Sequence, residues 1–140
     1  MRREICFSTK NPEAERALSA KKILLVDDSM TMLLMEQMVL GSSGYQILTA
    51  QDGEAGVRAA LSHRPDLIIL DVVMPTMDGL EACRQLRAHE ATRDTPILLV
   101  TTDNEKALVE KCTFSGGDDY VLKPIDTNEL LSKVKNLLGD

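Results

Sequence analysis

Apolar residues fall into five short runs, each followed by polar residues and a turn. Ile23-Leu24-Leu25-Val26, Leu67-Ile68-Ile69-Leu70 and Ile97-Leu98-Leu99-Val100 are unbroken, as in strands of a parallel sheet covered on both faces. Tyr45 to Ala50 and the short Tyr120-Val121-Leu122 complete the set of predicted strands. Stretches with a helical period lie between them. Ser29 is placed to N-cap a helix from Met30 to Leu40, which ends in Gly41-Ser42-Ser43-Gly44. A second helix runs from Glu54 to about His63, between Asp52-Gly53 and the stop signal Arg64-Pro65. Leu80 to about His89 forms the third, and Asn104 to Phe114, broken by Gly116-Gly117, the fourth. The last starts with Asp126 and Glu129 in capping-box spacing and carries the stripe Leu130, Leu131, Val134, Leu137 and Leu138.

Strands alternating with helices predict an α/β fold, a doubly wound five-stranded parallel sheet with helices on both faces. Right-handed crossovers cover both faces only if the strand order reverses once. Reversal after the second strand gives the order 2-1-3-4-5 and brings Asp27, Asp28 and Asp71 to one switch point, where such sheets bind ligands. Residues 1–20 lack this alternation. Asn11-Pro12 could open a short helix from Glu13 to Leu18, and the segment reads as a mobile or loosely docked extension to a domain over 21–140.

Composition narrows the function. With 140 residues, 44% hydrophobic and 27% charged, the chain has the make-up of one globular domain. A net charge of −6 argues against nucleic-acid binding. No apolar run approaches membrane-spanning length, and Met1-Arg2-Arg3 is not followed by a signal-peptide core, so a cytoplasmic location is expected. Cys6, Cys83 and Cys112 are scattered, without CxxC spacing, and read as reduced thiols.

The candidate chemistry lies at the strand ends. Three converging carboxylates repel one another, and a hard cation such as Mg²⁺, which takes carboxylates, a carbonyl and waters, accounts for the cluster better than a solvated acidic patch. Thr101 and Lys123 each end a strand beside it. A lysine ammonium can pair with Asp71 and then with a phosphoryl group, and a threonine hydroxyl can donate to a phosphoryl oxygen. Nucleophilic carboxylate, metal, lysine and hydroxyl make a phosphoryl-transfer site.

Leu25-Val26-Asp27-Asp28-Ser29, Ile69-Leu70-Asp71 with Met74-Pro75, Met77-Asp78-Gly79, Val100-Thr101, and Gly116 through Tyr120-Val121-Leu122-Lys123-Pro124 together resemble the receiver domains of two-component response regulators over about Lys21 to Leu138. The resemblance implies a flavodoxin-like, CheY-like fold. It implies that Asp71 accepts a phosphoryl group from a histidine kinase or histidine phosphotransfer protein. Asp28 would hold Mg²⁺ directly and Asp27 partly through water, with Asp71 and the backbone carbonyl of Val73 completing the protein ligands. Thr101 would move toward the acyl phosphate, Tyr120 would swing inward behind it, and Lys123 would contact the phosphoryl group, with a cis bond to Pro124. Output would pass to a downstream protein through the face of the Asn104–Phe114 helix, the fifth strand and the last helix. Such a protein is not a separate enzyme but assists its own phosphorylation and dephosphorylation, as a monomer or weak dimer. Val73 and Asp103 occupy positions that tune dephosphorylation in the family.

The first helix departs from the pattern. Met30, Met32, Leu33, Leu34, Met35, Met38, Val39 and Leu40 leave little polar face, where relatives often carry a basic residue near Leu33 or Leu34. Leu33 or Leu34 is therefore expected to help dock a partner helix. The reading is a stand-alone, phosphorylation-operated switch. Its alternatives are the receiver part of a longer regulator with a DNA-binding or enzymatic output, and a non-phosphorylated pseudo-receiver scaffold. A phosphohydrolase of the haloacid-dehalogenase type would need an Asp where Val73 stands.

Overall fold

The computed structural model describes residues 20–102, 107, 110 and 116–139. Five strands, β1 (Lys22–Val26), β2 (Gln46–Ala50), β3 (Leu67–Asp71), β4 (Ile97–Thr101) and β5 (Asp119–Leu122), form one parallel sheet in the order β2-β1-β3-β4-β5. This is the predicted reversal, and β3 lies at its centre. Four helices are described: α1 (Met30–Gly41), α2 (Gly53–His63), α3 (Gly79–Ala88) and α4 (Thr127–Leu138). Of the helix expected over Asn104–Phe114, only Ala107 and Glu110, both helical, fall among the described residues. The expected extension over 1–20, apart from Ala20, lies outside them, as do Cys6, Cys112 and Asp103.

Strand alternation divides the core in two. Ile23, Leu25, Leu67, Ile69, Leu98 and Val100 pack under α1 and α4 with Leu33, Leu40, Leu130 and Val134. Leu24, Val26, Ile68, Leu70, Ile97 and Leu99 pack under α2 and α3 with Val57, Ala60, Ala82, Cys83 and Leu86. Successive residues of a central strand are therefore buried on opposite faces of the sheet, which is why the apolar runs are continuous. Each helix begins where an oxygen side chain accepts from its first turn: Ser29 from Met32, Asp52 from Ala55, Asp78 from Glu81, and Asp126 from Asn128 and Glu129. None of the described helices is long and apolar enough to cross a membrane.

The first helix corrects an expectation. Its buried stripe is Leu33, Glu36 and Leu40, while Met30, Leu34 and Met38 are exposed. Leu33 therefore belongs to the core, because it faces the sheet. Of the two docking candidates only Leu34, 54% exposed, stands on the surface.

Candidate functional site

Because all five strands are parallel, their carboxyl ends share one edge. At that edge the chain leaves β1 toward α1 on one face of the sheet and leaves β3 toward α3 on the other, opening the switch-point crevice between them. Asp27 and Asp28 follow β1, and Asp71 ends β3. One carboxylate oxygen from each lies within 4.8 Å of the others. Asp27 and Asp71 are only 2% and 3% exposed, whereas Asp28 faces solvent. Asp27 is held on both sides: its N–H donates to the Ala50 carbonyl at 3.1 Å, and its Oδ1 accepts from the Ser29 N–H at 2.9 Å.

Burial dominates the electrostatics. It pushes Asp71 from its ordinary 3.8 up to about 6, helped by the Asp27 charge and opposed by Lys123. Burial likewise raises Asp27, against the Ser29 N–H and Lys123. Lys123 reaches past the end of β4 to place Nζ 3.3 Å from Asp71 Oδ1. Among the described residues, three carboxylates against the Lys123 ammonium leave a surplus of negative charge on an all-oxygen donor set, which fits a hard cation of the Mg²⁺ type.

Thr101, fully buried, ends β4, and its carbonyl accepts from the Lys123 N–H at 2.6 Å. The Lys123–Pro124 peptide is cis, as the resemblance implied. Val73 is 51% exposed beside the crevice. The loop after Asp71 turns through Thr76, at φ +71°, into Asp78 and α3. Asp27, Asp28, Asp71 and Lys123 are thus brought together, and Thr101 stands on the strand between Asp71 and Lys123. Tyr120 is not at the crevice. The residue is 37% exposed, with Lys133 Nζ 5.2 Å from the ring centre.

Three residues were not foreseen. Glu36 is 1% exposed, and its Oε2 makes no hydrogen bond among the described residues. Burial, then the charges of Asp27 and Asp71, push its carboxyl up to about 8. The signal was present, since Glu36 follows Leu33 by one helical turn and precedes Leu40 by another. Arg87 and Lys133 could not be found this way, because apart from the Glu129–Lys133 pair within α4 their partners lie outside their own helices.

Residues 23–135 match the family described as the response regulator receiver domain. The alkaline phosphatase synthesis transcriptional regulatory protein PhoP of Bacillus subtilis is 41% identical over 118 residues, covering 84% of this chain and 48% of that protein. The chain spans about half the length of the curated relatives it matches. The Vibrio cholerae chemotaxis protein CheY4 superposes with a TM-score of 0.81 at 32% identity, over 86% of this chain and 100% of that one. The receiver domain of sensor histidine kinase PA1611 from Pseudomonas aeruginosa PAO1, solved with a magnesium ion coordinated in its active site cleft, gives 0.80 at 33% identity, over 87% and 100%. With the family match running over most of its length, the chain belongs to the response regulator receiver domains of two-component systems.

Proposed function

We propose that Asp71 accepts a phosphoryl group from a phosphohistidine on a histidine kinase or phosphotransfer protein, and that the receiver signals this state by protein–protein contact. The observation that carries the reading is Asp71 itself, a buried carboxylate at the end of the central strand with two carboxylates within 4.8 Å and a lysine at 3.3 Å. A carboxylate oxygen of Asp71 attacks phosphorus, the O–P bond forms as the P–N bond breaks, and the donor ring, already protonated on its other nitrogen, takes the bonding pair and leaves as neutral imidazole. Lys123 is near enough to follow the transferred charge from carboxylate to phosphoryl oxygen. The Thr101 hydroxyl is the donor for a second oxygen once that residue shifts toward Asp71. Bound Mg²⁺, held by Asp28, Asp71, the Val73 carbonyl and, partly through water, Asp27, would neutralise the phosphoryl charge. The protein acts only on itself, assisting its own phosphorylation and dephosphorylation. Val73 and Asp103 set how long the acyl phosphate lasts. Leu34 contacts the phosphodonor.

The greater length of the matched relatives favours a second reading, in which this receiver works within a longer regulator. The size of the native gene product separates the two. For the chemistry, the test is intact-mass analysis after incubation with acetyl phosphate, with and without Mg²⁺, beside Asp71→Asn. A phosphate adduct that needs Mg²⁺ and is absent from the variant is expected. No adduct on the parent, despite measurable Mg²⁺ binding, would leave a scaffold whose signal bypasses Asp71.

A further inference from the structure

Tyr120 lies on β5, which among the described strands pairs only with β4. Its neighbour Val121 points into the core under α1 and α4, so alternation sends the Tyr120 side chain to the opposite face. Lys133, on α4, reaches past the free edge of the strand. Its Nζ donates to the Tyr120 carbonyl at 2.5 Å, lies 3.4 Å from Asp119 Oδ1 and 3.7 Å from Glu129 Oε2, and stands 5.2 Å from the centre of the Tyr120 ring. The Tyr120 N–H donates to the same Asp119 Oδ1 at 2.8 Å, which ties backbone, acid and ammonium into one knot.

We propose that Lys133 is a positioning residue that holds the Tyr120 ring on the outside of the sheet and so weights the receiver toward its resting arrangement. The inference rests on the proposed reading in one respect: it takes the inward swing of Tyr120 as part of the phosphorylated state. The ammonium is anchored by three oxygens, none of them on the Tyr120 side chain. It therefore stays where it is when the ring moves, and an inward swing takes the ring away from a fixed cation. A cation within 6 Å of a partly exposed tyrosine face weights the outer position by about two- to fivefold. Because both states keep the carbonyl bond, the bias acts on the ring alone, which makes Lys133 a setting on the switch equilibrium as well as a brace for the edge strand.

The chain has two tyrosines, Tyr45 and Tyr120, so 3-fluorotyrosine labelling gives two ¹⁹F resonances, assigned with Tyr45→Phe. The full chain is compared as parent, Lys133→Met and Lys133→Arg, each with Mg²⁺ alone and with Mg²⁺ plus beryllofluoride as phosphoryl mimic. In Lys133→Met without the mimic, the Tyr120 resonance is expected to move toward its mimic-bound position, corresponding to about two- to fivefold more inward ring, with a matching rise in the acetyl-phosphate labelling rate. Lys133→Arg, which keeps a cation, is expected to stay with the parent. A Tyr120 resonance unchanged in Lys133→Met, or moved equally in Lys133→Arg, overturns the proposal. A parent resonance that ignores the mimic removes the inward swing itself and overturns the proposal on that separate ground.

Discussion

The N–H of Gly79 donates to the carbonyl of Val72 at 2.7 Å, locking the start of α3 onto the end of the strand that carries Asp71. A β-carbon at Gly79 would lie 2.8 Å from Val72 Cα and 2.9 Å from the Asp71 carbonyl oxygen. Both are backbone atoms of the site and cannot step aside without moving it. Gly79→Ala is expected to lose about 1–3 kcal/mol of stability, the usual range for overpacking, and to weaken Mg²⁺ binding. Gly41→Ala is the control: nothing lies within 4 Å there, and removing a helical glycine should leave stability unchanged or raise it by up to about 1 kcal/mol. Urea denaturation and a Mg²⁺ titration read both effects.

Asp71, at about 6 in the folded chain against 3.8 ordinarily, binds its proton more tightly folded than unfolded. Stability from that proton is fully present below about pH 4 and is lost as pH rises through 6. Asp27 shifts the same way. In chelator, Asp71→Asn should therefore exceed the parent by about 1–3 kcal/mol at pH 7, with little difference at pH 4. Mg²⁺ should raise the parent Tm far more at pH 7.5 than at pH 4.5. Thermal denaturation across pH, with and without the ion, checks both.

Glu36 has the same sign over a wider window. With a folded value of about 8 against 4.5, its contribution is fully present below about pH 4.5 and disappears as pH rises through 8. Glu36→Leu should gain on the parent progressively across that range, reaching a few kcal/mol at pH 8.5. A parallel pH dependence in parent and variant would show that Glu36 finds a polar partner in solution.

Arg87 ties α3 to the chain entering β5. Nε and Nη2 both donate to the Gly116 carbonyl, at 2.9 and 2.6 Å, and Nη1 donates to the carbonyls of Thr92, Arg93 and Thr95. Nη2 also pairs with Asp118 at 3.0 Å. A lysine ammonium lacks this planar fork, so Arg87→Ala should cost about 2–4 kcal/mol, and Arg87→Lys should recover little of it. Chemical denaturation of both variants decides.

Leu34 stands exposed on α1 between Met30 and Met38, one turn from each. If it packs against the phosphodonor, Leu34→Arg should slow transfer from the cognate donor by about tenfold, the equivalent of one lost leucine contact. Labelling by acetyl phosphate should stay at the parent rate. Equal loss in both assays would assign the effect to folding.

The unbroken apolar runs located β1, β3 and β4 by themselves, because a strand buried on both faces has no polar alternation, whereas β2 and β5 are partly exposed and carry a weaker signal. The carboxylates, Thr101 and Lys123 were legible for a related reason: each follows or ends such a run, so finding the strands located the residues at their ends. The boundaries shifted by a residue or two, as when Tyr45 fell outside β2 and Asp119 inside β5, since backbone pairing and not side-chain type ends a strand. Tertiary structure alone decided the rest. Leu33 and Leu34 are equally apolar, and only the packing of α1 on the sheet sends one inward and the other out. The burial of Glu36 follows from its place on the turn between Leu33 and Leu40, once that face of α1 packs on the sheet. The contacts of Arg87 with Gly116 and Asp118, and of Lys133 with Asp119 and Tyr120, join different elements, and no local pattern encodes a distance that exists only after the chain has folded.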